Sequence, residues 1–135
     1  MAVAACAAMS CYAAEPLSAA TVASPKSTAT ASVSILTPPF LIPGLNRERT
    51  VRLYLPPGYA TSTKRYPMLY MHDGQNLFDA ATSYAGEWGV DETLDTLAKI
   101  QGLELIVVGI DQGGVNRMTE FNPWDAPRFG RGEGA

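Results

Sequence analysis

Two continuously apolar segments, 68–71 and 105–110, constrain the fold of this chain more than any other feature of its sequence. Runs of this kind, bounded by turn residues, are typical of parallel strands that are buried on both faces. Between them, the segment 89–101 places Val90, Leu94 and Leu97 on one face of a predicted helix. Its first turn is acidic, its last turn is basic, and a glycine follows. The sequence therefore predicts a β-α-β unit with two parallel strands.

The segments before this unit predict antiparallel strands. The segment 31–36 is a candidate first strand that ends at two prolines, and a Pro-Gly turn follows at 43–46. The segment 49–55 alternates between apolar and polar residues, which predicts a strand with one buried and one solvated face. An antiparallel start followed by a β-α-β unit predicts a fold of the α/β class.

The first part of the chain differs in composition from the rest. Residues 1–23 are rich in alanine and resemble a secretory leader, although no Lys or Arg precedes the apolar stretch. This stretch is too short to span a bilayer. Residues 24–31 are predicted to form a Ser/Thr/Ala linker, and residues 32–135 the folded domain. We expect a periplasmic or secreted protein; the alternative is a cytoplasmic protein with a disordered leader.

Composition argues against several classes of function. The net charge is −3 and the charges are interspersed, so no basic block is present to bind nucleic acid or an anionic membrane surface. Both cysteines, Cys6 and Cys11, lie in the leader, which leaves the predicted domain without a thiol for a disulfide, a nucleophile or a zinc site. No Gly-x-Gly-x-x-Gly segment follows a predicted strand, which argues against a dinucleotide site.

Metal-dependent hydrolysis is one chemistry for which the sequence offers ligands. Suitable ligand types occur at five positions: His72, Asp73, Asp79, Asp91 and Asp111. They do not show the paired spacing, such as H-x-x-x-H or D-x-D, that metal sites usually have, and a single histidine is a poor basis for a zinc site. We therefore expect no metal ion and no cofactor.

The segment 66–76, Tyr-Pro-Met-Leu-Tyr-Met-His-Asp-Gly-Gln-Asn, resembles the putative esterase family of the α/β hydrolases, which includes siderophore, feruloyl and acetylxylan esterases. The similarity continues through Gly-Glu-Trp-Gly-Val-Asp-Glu at 86–92, Val-Val-Gly-Ile-Asp at 107–111 and the loop 116–121. It implies an α/β-hydrolase fold, a serine nucleophile, no cofactor, and a small-molecule or carbohydrate-linked ester as substrate. The alternatives are an acyltransferase on the same scaffold and a truncated, non-catalytic hydrolase-like protein.

The resemblance also implies parts that these 135 residues do not contain. In the family a G-x-S-x-G nucleophile turn, an acid and a histidine follow the matched region, and this sequence has no G-x-S-x-G. We therefore expect residues 32–135 to form the N-terminal half of an α/β-hydrolase domain, with an incomplete sheet and no activity alone. The strand at 66–71 would then lie at a sheet edge, where it would pair with other copies of the chain.

The loop after this strand carries the candidate catalytic groups. By the resemblance, the backbone N–H groups of Gly74 and Gln75 form an oxyanion hole, with Gly74 the first choice because glycine lets the backbone approach closely. The alternative is that the Asp73-Gly74 pair is only a turn. His72, the one histidine of the chain, is assigned to positioning the loop, because the catalytic base of the family lies farther downstream.

Other side chains on nearby loops are candidates for the substrate pocket: Asn76, Phe78, Trp88 and Trp124. The alternative role for Trp88 is to fasten the start of the helix to the core. Arg117 and Glu120 lie three residues apart, which predicts an ion pair within one loop.

Overall fold

The computed structural model describes residues 25–126, 128 and 130–132. Within them the strands are β1 (Val33–Ile35), β2 (Phe40–Ile42), β3 (Arg47–Arg49), β4 (Val51–Tyr54), β5 (Met68–His72) and β6 (Ile106–Ile110). The α-helices are α1 (Val90–Gln101) and α2 (Arg117–Glu120). The predicted leader, 1–23, lies outside the described residues. Among the described residues, no helix combines the length and the apolar character that a membrane span requires.

Four of the strands form the main sheet, in the order β1-β4-β6-β5. β4 pairs antiparallel with both β1 and β6, whereas β5 and β6 are parallel and place His72 opposite Ile110. Helix α1 joins the two parallel strands, so the predicted β-α-β unit is present. The predicted α/β class, with antiparallel first strands, is confirmed.

A second sheet consists of the hairpin β2–β3. The sequence predicts its turn at 43–46, where Gly44 and Asn46 both have a positive φ, of 88° and 50°. Glycine and asparagine are the residues that adopt this conformation most easily. The sequence does not predict the two strands, because three residues are too few to show an alternating pattern.

The hydrophobic core lies between the sheet and α1. Leu94 of α1 packs there, and Val90 and Leu97 pack around its margin, as the predicted apolar face requires. The core residues are Tyr54, Leu77, Phe78, Leu94 and Val107. Phe78 is fully buried, so the prediction that it lines a substrate pocket is wrong.

The prediction that the 49–55 strand has one solvated face is also wrong. Arg52 and Tyr54, on the polar face of β4, are 7% and 1% exposed. The Arg52 guanidinium makes two hydrogen bonds to Asp111, of 2.8 and 3.0 Å, and the Tyr54 hydroxyl donates to Asp95 at 2.9 Å. Burial, reinforced by the Asp95 carboxylate, raises the pKa of Tyr54 above its usual value. Polar partners therefore allow both faces of this strand to be covered.

The two parallel strands differ in burial. In β6, Val107 is fully buried, as predicted for a central strand. β5 lies at the edge of the described sheet, as expected, and its residues Met68, Leu69 and Tyr70 are 53%, 45% and 65% exposed. The prediction of a strand buried on both faces is therefore wrong for β5, because apolar character alone does not show which neighbours cover a strand.

Candidate active site

The loops that follow β5 and β6 border two cavities at the carboxyl ends of these parallel strands. Ligands of open α/β sheets bind in this position. The larger space, which we call the hairpin cleft, has a volume of about 530 Å³ and lies between the β2–β3 turn, His72, Asp111, Glu120 and Phe121. The smaller, the Gln75 cavity, has a volume of about 330 Å³ and is lined by Asp73, Gln75, Asn76, Tyr84, Gln112 and Arg117.

Gly74 brings the loop after β5 into direct backbone contact with β6. A Cβ atom at this position would lie 2.7 Å from the carbonyl carbon of Gly109 and 2.8 Å from Oδ1 of Asp111. Both distances are shorter than real Cβ contacts, so only glycine fits. The preceding residue, Asp73, has a positive φ of 54°, which turns the chain sharply at the end of the strand.

The turn 74–76 leaves two backbone donors free. The N–H of Asn76 donates to the carbonyl of Asp73 at 2.9 Å, and that of Leu77 donates to the carbonyl of Gly74 at 3.2 Å. The N–H groups of Gly74 and Gln75 donate to no other group in the described part of the chain. Gly74 is buried, whereas Gln75 is half-buried and lines the Gln75 cavity. Only Gln75 of these two residues lines a cavity, so its N–H is the better candidate for contact with a ligand.

Hydrogen bonds from three other segments hold this turn in place. The side-chain carbonyl of Gln75 accepts from the N–H of Gln112, after β6, at 3.1 Å. The Asn76 side-chain carbonyl accepts from the N–H of Tyr84, and its backbone carbonyl accepts from the N–H of Trp88, both at 2.9 Å. A donor on this turn is consequently preorganised, which is what stabilisation of a developing charge requires.

Arg117 pairs with Asp73, and the predicted ion pair between Arg117 and Glu120 is wrong. The Nε and Nη2 atoms of Arg117 lie 2.9 and 2.7 Å from the two carboxylate oxygens of Asp73. These hydrogen bonds hold the pKa of the Asp73 carboxyl group below its usual value. The pair joins residues 44 positions apart in sequence, so spacing within one loop could not reveal it.

Glu120, at the other end of α2, binds two arginines of β3. Nη2 of Arg49 lies 2.7 Å from both carboxylate oxygens, and Nη1 of Arg47 lies 3.0 Å from one of them. The Glu120 and Arg49 side chains are only 9% and 11% exposed. These bonds attach α2 to the hairpin and form one wall of the hairpin cleft.

The remaining predicted site residues lie in different places. The His72 ring contacts Phe121 edge-on at 4.9 Å between centroids, on the wall of the hairpin cleft. Asn76 lines the Gln75 cavity. Trp88 and Trp124 are 59% and 75% exposed, and neither lines the two cavities within the described residues. The exposure of Trp88 also places it outside the core.

Comparison with known proteins identifies the family of this sequence. The family model described as "Putative esterase" matches residues 42–134, which is most of the chain. The Uncharacterized protein YbbA of Bacillus subtilis (strain 168) is 35% identical over 80 residues, which cover 58% of this chain and 28% of the relative.

Two solved structures have a similar fold. The IroE-like serine hydrolase from Shewanella oneidensis has a TM-score of 0.54 and 25% identity, over 76% of this chain and 32% of that structure. The BES protein from Bacillus cereus has a TM-score of 0.51 and 16% identity, over 85% of this chain and 44% of that structure, and supports the fold alone. This chain thus spans less than half the length of each of these three proteins. The match of the family model shows that the chain belongs to the Putative esterase family.

Proposed function

We propose that this chain is the part of a serine carboxylic ester hydrolase that supplies the oxyanion hole. The nucleophilic serine, the acid and the histidine base would come from the region that follows it in the complete enzyme. One observation carries the proposal: two unused backbone N–H groups, on a turn held by its neighbours, lie at the carboxyl end of β5 beside a cavity. Membership of the Putative esterase family supports the same assignment.

The proposed mechanism is acyl transfer through a covalent intermediate. The serine attacks the ester carbonyl while the histidine takes the serine proton and then gives it to the departing alcohol. Negative charge develops on the carbonyl oxygen, and N–H donors fixed in advance stabilise this charge without reorganising. Water then attacks the acyl-enzyme by the same route and releases the acid.

Within the turn, we assign the main donor to Gln75 and a spacing role to Gly74. Gln75 lines the Gln75 cavity, whereas Gly74 is buried against Gly109 and provides the close approach that orients the turn. This order reverses the expectation from sequence, which put Gly74 first. Both N–H groups remain candidates, because both lack a partner among the described residues.

We further propose that the substrate is a small-molecule or carbohydrate-linked ester. The Gln75 cavity, of about 330 Å³, is lined mainly by polar and charged side chains and suits the polar part of such an ester. Asn76 lies within it. Trp88 and Trp124 lie outside the cavity lining, so we propose them only as exposed aromatic surfaces for a sugar or phenolic ring that extends beyond it.

The donor assignment is tested by comparing Gln75→Pro with Gln75→Ala in the complete enzyme, using a p-nitrophenyl ester. Proline removes the N–H, and its fixed φ of about −65° suits a 3-10 turn. Alanine keeps the N–H and removes only the side chain that accepts from Gln112. We expect proline to lower kcat by about 10²–10³, the usual effect of losing one oxyanion donor, and alanine by less than about tenfold.

Two outcomes would contradict this assignment. A folded Gln75→Pro enzyme with normal kcat would mean that the donor lies elsewhere, and Gly74→Pro would be the next variant to measure. Equal losses in the proline and alanine variants would assign the effect to the side chain of Gln75 and not to its N–H group.

We also propose that the protein is exported to the periplasm or secreted. The support is the leader-like composition of residues 1–23. Expression of the whole sequence in a bacterial host, followed by fractionation and mass spectrometry of the N-terminus, tests this. Export predicts a shortened chain in the periplasm or medium, whereas an intact N-terminus in the cytoplasmic fraction would contradict it.

A further inference from the structure

Three carboxylates crowd together where the chain enters α1. Glu87, Asp91 and Glu92 each offer one oxygen, and these three oxygens lie within 4.8 Å of one another. Asp91 is completely buried, Glu87 is half-buried and Glu92 is exposed. The ion pairs of the described residues use other carboxylates, those of Asp73, Glu104, Asp111 and Glu120. Like charges at this distance repel strongly when one of them is out of contact with water.

Several buried side-chain oxygens near these carboxylates also lack a hydrogen-bond partner among the described residues. In the described part of the chain, the buried side-chain oxygens without a partner are Thr30 Oγ1, Glu87 Oε1 and Asp91 Oδ1. Thr30 belongs to this cluster because its N–H donates to Oδ2 of Asp91 at 2.8 Å. Buried polar atoms without a protein partner are rare in folded proteins, and ordered water or a bound ion commonly satisfies them. All three atoms therefore belong to residues of the carboxylate cluster or to a residue hydrogen-bonded to it.

The partners that these carboxylates do have occupy their other oxygens. Oδ2 of Asp91 accepts from the N–H of Thr30, and Oε2 of Glu87 accepts from the hydroxyl of Thr28. Each carboxylate therefore uses one oxygen to hold the segment before β1 and leaves the other unused. A favourable interaction with the helix N-terminus explains acidic residues in the first turn of α1. It does not explain the unpartnered oxygen of Glu87, which precedes the helix, or that of Thr30.

We propose that Glu87, Asp91 and Glu92 bind a divalent cation of the calcium type, with the Thr30 hydroxyl as a further oxygen donor and water completing the shell. Carboxylate, hydroxyl and water oxygens are the ligands that calcium takes, at about 2.3–2.6 Å and in numbers of six to eight. Three oxygens within 4.8 Å of one another can share the shell of one such ion. Calcium is the first choice because it accepts irregular sets of oxygen ligands, whereas magnesium demands near-octahedral geometry and keeps several waters.

The cation would join two segments that are distant in sequence. Thr28 and Thr30 belong to the segment before β1, whereas the carboxylates lie at 87–92. The second segment also holds the turn after β5, because the N–H groups of Trp88 and Val90 donate to the carbonyls of Asn76 and Leu77 at 2.9 and 3.0 Å. The bound ion would thus stiffen the support of the Gln75 turn without taking part in ester chemistry.

The experiment is a titration of the whole chain, freed of metal by chelation, with terbium, a luminescent probe of calcium sites. Trp88 is adjacent in sequence to Glu87 and would sensitise the emission of an ion bound there. Calcium is then added to displace terbium, with magnesium in a parallel arm, and the Tm is measured with and without calcium. The variants are Glu87→Gln and Glu92→Gln, with Glu48→Gln as the control because Glu48 is an exposed carboxylate of β3.

We expect sensitised emission that calcium displaces at lower concentration than magnesium, and a Tm that rises with calcium. Glu87→Gln and Glu92→Gln should weaken binding by at least about tenfold, since losing even an outer-shell partner of a metal has effects of this size. Glu48→Gln should bind like the unmodified chain.

Other results would overturn the proposal. Equal binding by the Glu87→Gln chain and the unmodified chain would place the ion elsewhere. Weak extracellular calcium modules have dissociation constants of about 0.1–1 mM. If about 5 mM calcium leaves the Tm unchanged, the chain has no calcium site that stabilises its fold. If Glu92→Gln instead raised the Tm and no ion bound, the carboxylates would share a proton in place of a cation. The experiment does not use Asp91→Asn, because replacing this fully buried carboxylate could prevent folding.

Discussion

Gly74 illustrates how strongly one residue can be constrained by the backbone across from it. A Cβ at this position would meet the carbonyl carbon of Gly109 at 2.7 Å, and backbone on both sides cannot move aside cheaply. We therefore expect Gly74→Ala to lower the free energy of unfolding by about 3 kcal/mol, at the upper end of the usual range for overpacking. Urea unfolding of the two chains measures this.

Gly58→Ala is the matched control for this prediction. Gly58 has a positive φ of 81°, but a Cβ there would meet no atom within 4 Å. Its replacement should cost about 1 kcal/mol, from backbone strain alone. A Gly74→Ala loss no larger than that of Gly58→Ala would show that the loop moves away from β6 at little cost.

The ion pair of Asp73 and Arg117 predicts a dependence of stability on pH. Because the Arg117 guanidinium lowers the pKa of folded Asp73, the pair contributes its stability above the unfolded pKa of about 3.9, and this contribution is lost as the pH falls through the lower folded pKa. Asp73→Asn should reduce stability at pH 7 by no more than about 1 kcal/mol, because the pair is partly solvated.

Urea unfolding of both chains between pH 7 and pH 3 measures this contribution. The difference between their free energies of unfolding should shrink below about pH 4. In this range Asp73 of the unfolded chain takes up protons more readily than Asp73 of the folded chain. The same difference at pH 3 and at pH 7 would mean that the carboxylate charge is not what stabilises this contact.

At the scale of elements, β5 is an edge strand of the described sheet with exposed apolar side chains. It pairs with β6 alone in the described sheet, and three of its residues are strongly exposed. An apolar hollow of about 380 Å³ adjoins it, lined by Leu36, Phe40, Ile42, Tyr70, Val108 and Ile110 among others. Unpaired strand edges with apolar side chains promote pairing between chains. We propose that the isolated chain associates with itself through β5.

Leu69→Lys is expected to reduce this association. Lysine on an edge strand is a common protection against pairing, and Leu69 is 45% exposed, so the side chain can reach water. Ile100→Lys, at an exposed position of α1, adds the same charge away from the edge and is the control. Sedimentation velocity over a range of concentrations gives the outcome. A monomeric unmodified chain, or equal effects of both lysines, would refute association through β5.

At the scale of the whole molecule, we expect the 135-residue chain to hydrolyse no ester on its own. Its sequence contains no G-x-S-x-G turn, and His72 packs against Phe121 with no activated serine assigned to it. Turnover of p-nitrophenyl acetate by the purified chain should therefore equal the buffer rate. Hydrolysis that survives inhibitor controls and disappears in His72→Ala would show that a catalytic base is present after all.

Features set by neighbouring residues could be predicted from sequence. The β-α-β unit, the apolar face of α1 and the turn at 43–46 follow from periodicity and from glycine placement, which depend on backbone geometry over a few residues. For such features the local pattern is sufficient, because the same pattern leads to the same element in many folds. The candidate donors Gly74 and Gln75 come instead from the resemblance to the putative esterase family, and their role stays a prediction.

The tertiary structure alone decided which charged groups meet and which strands are covered. Arg117 pairs with Asp73 across 44 positions, and Arg49 with Glu120 across 71. The carboxylate cluster near α1 gains Thr30 only through the path of the chain before β1. Electrostatic pairing and burial depend on distances in space, which folding sets by packing all elements together. No spacing in the sequence contains that information.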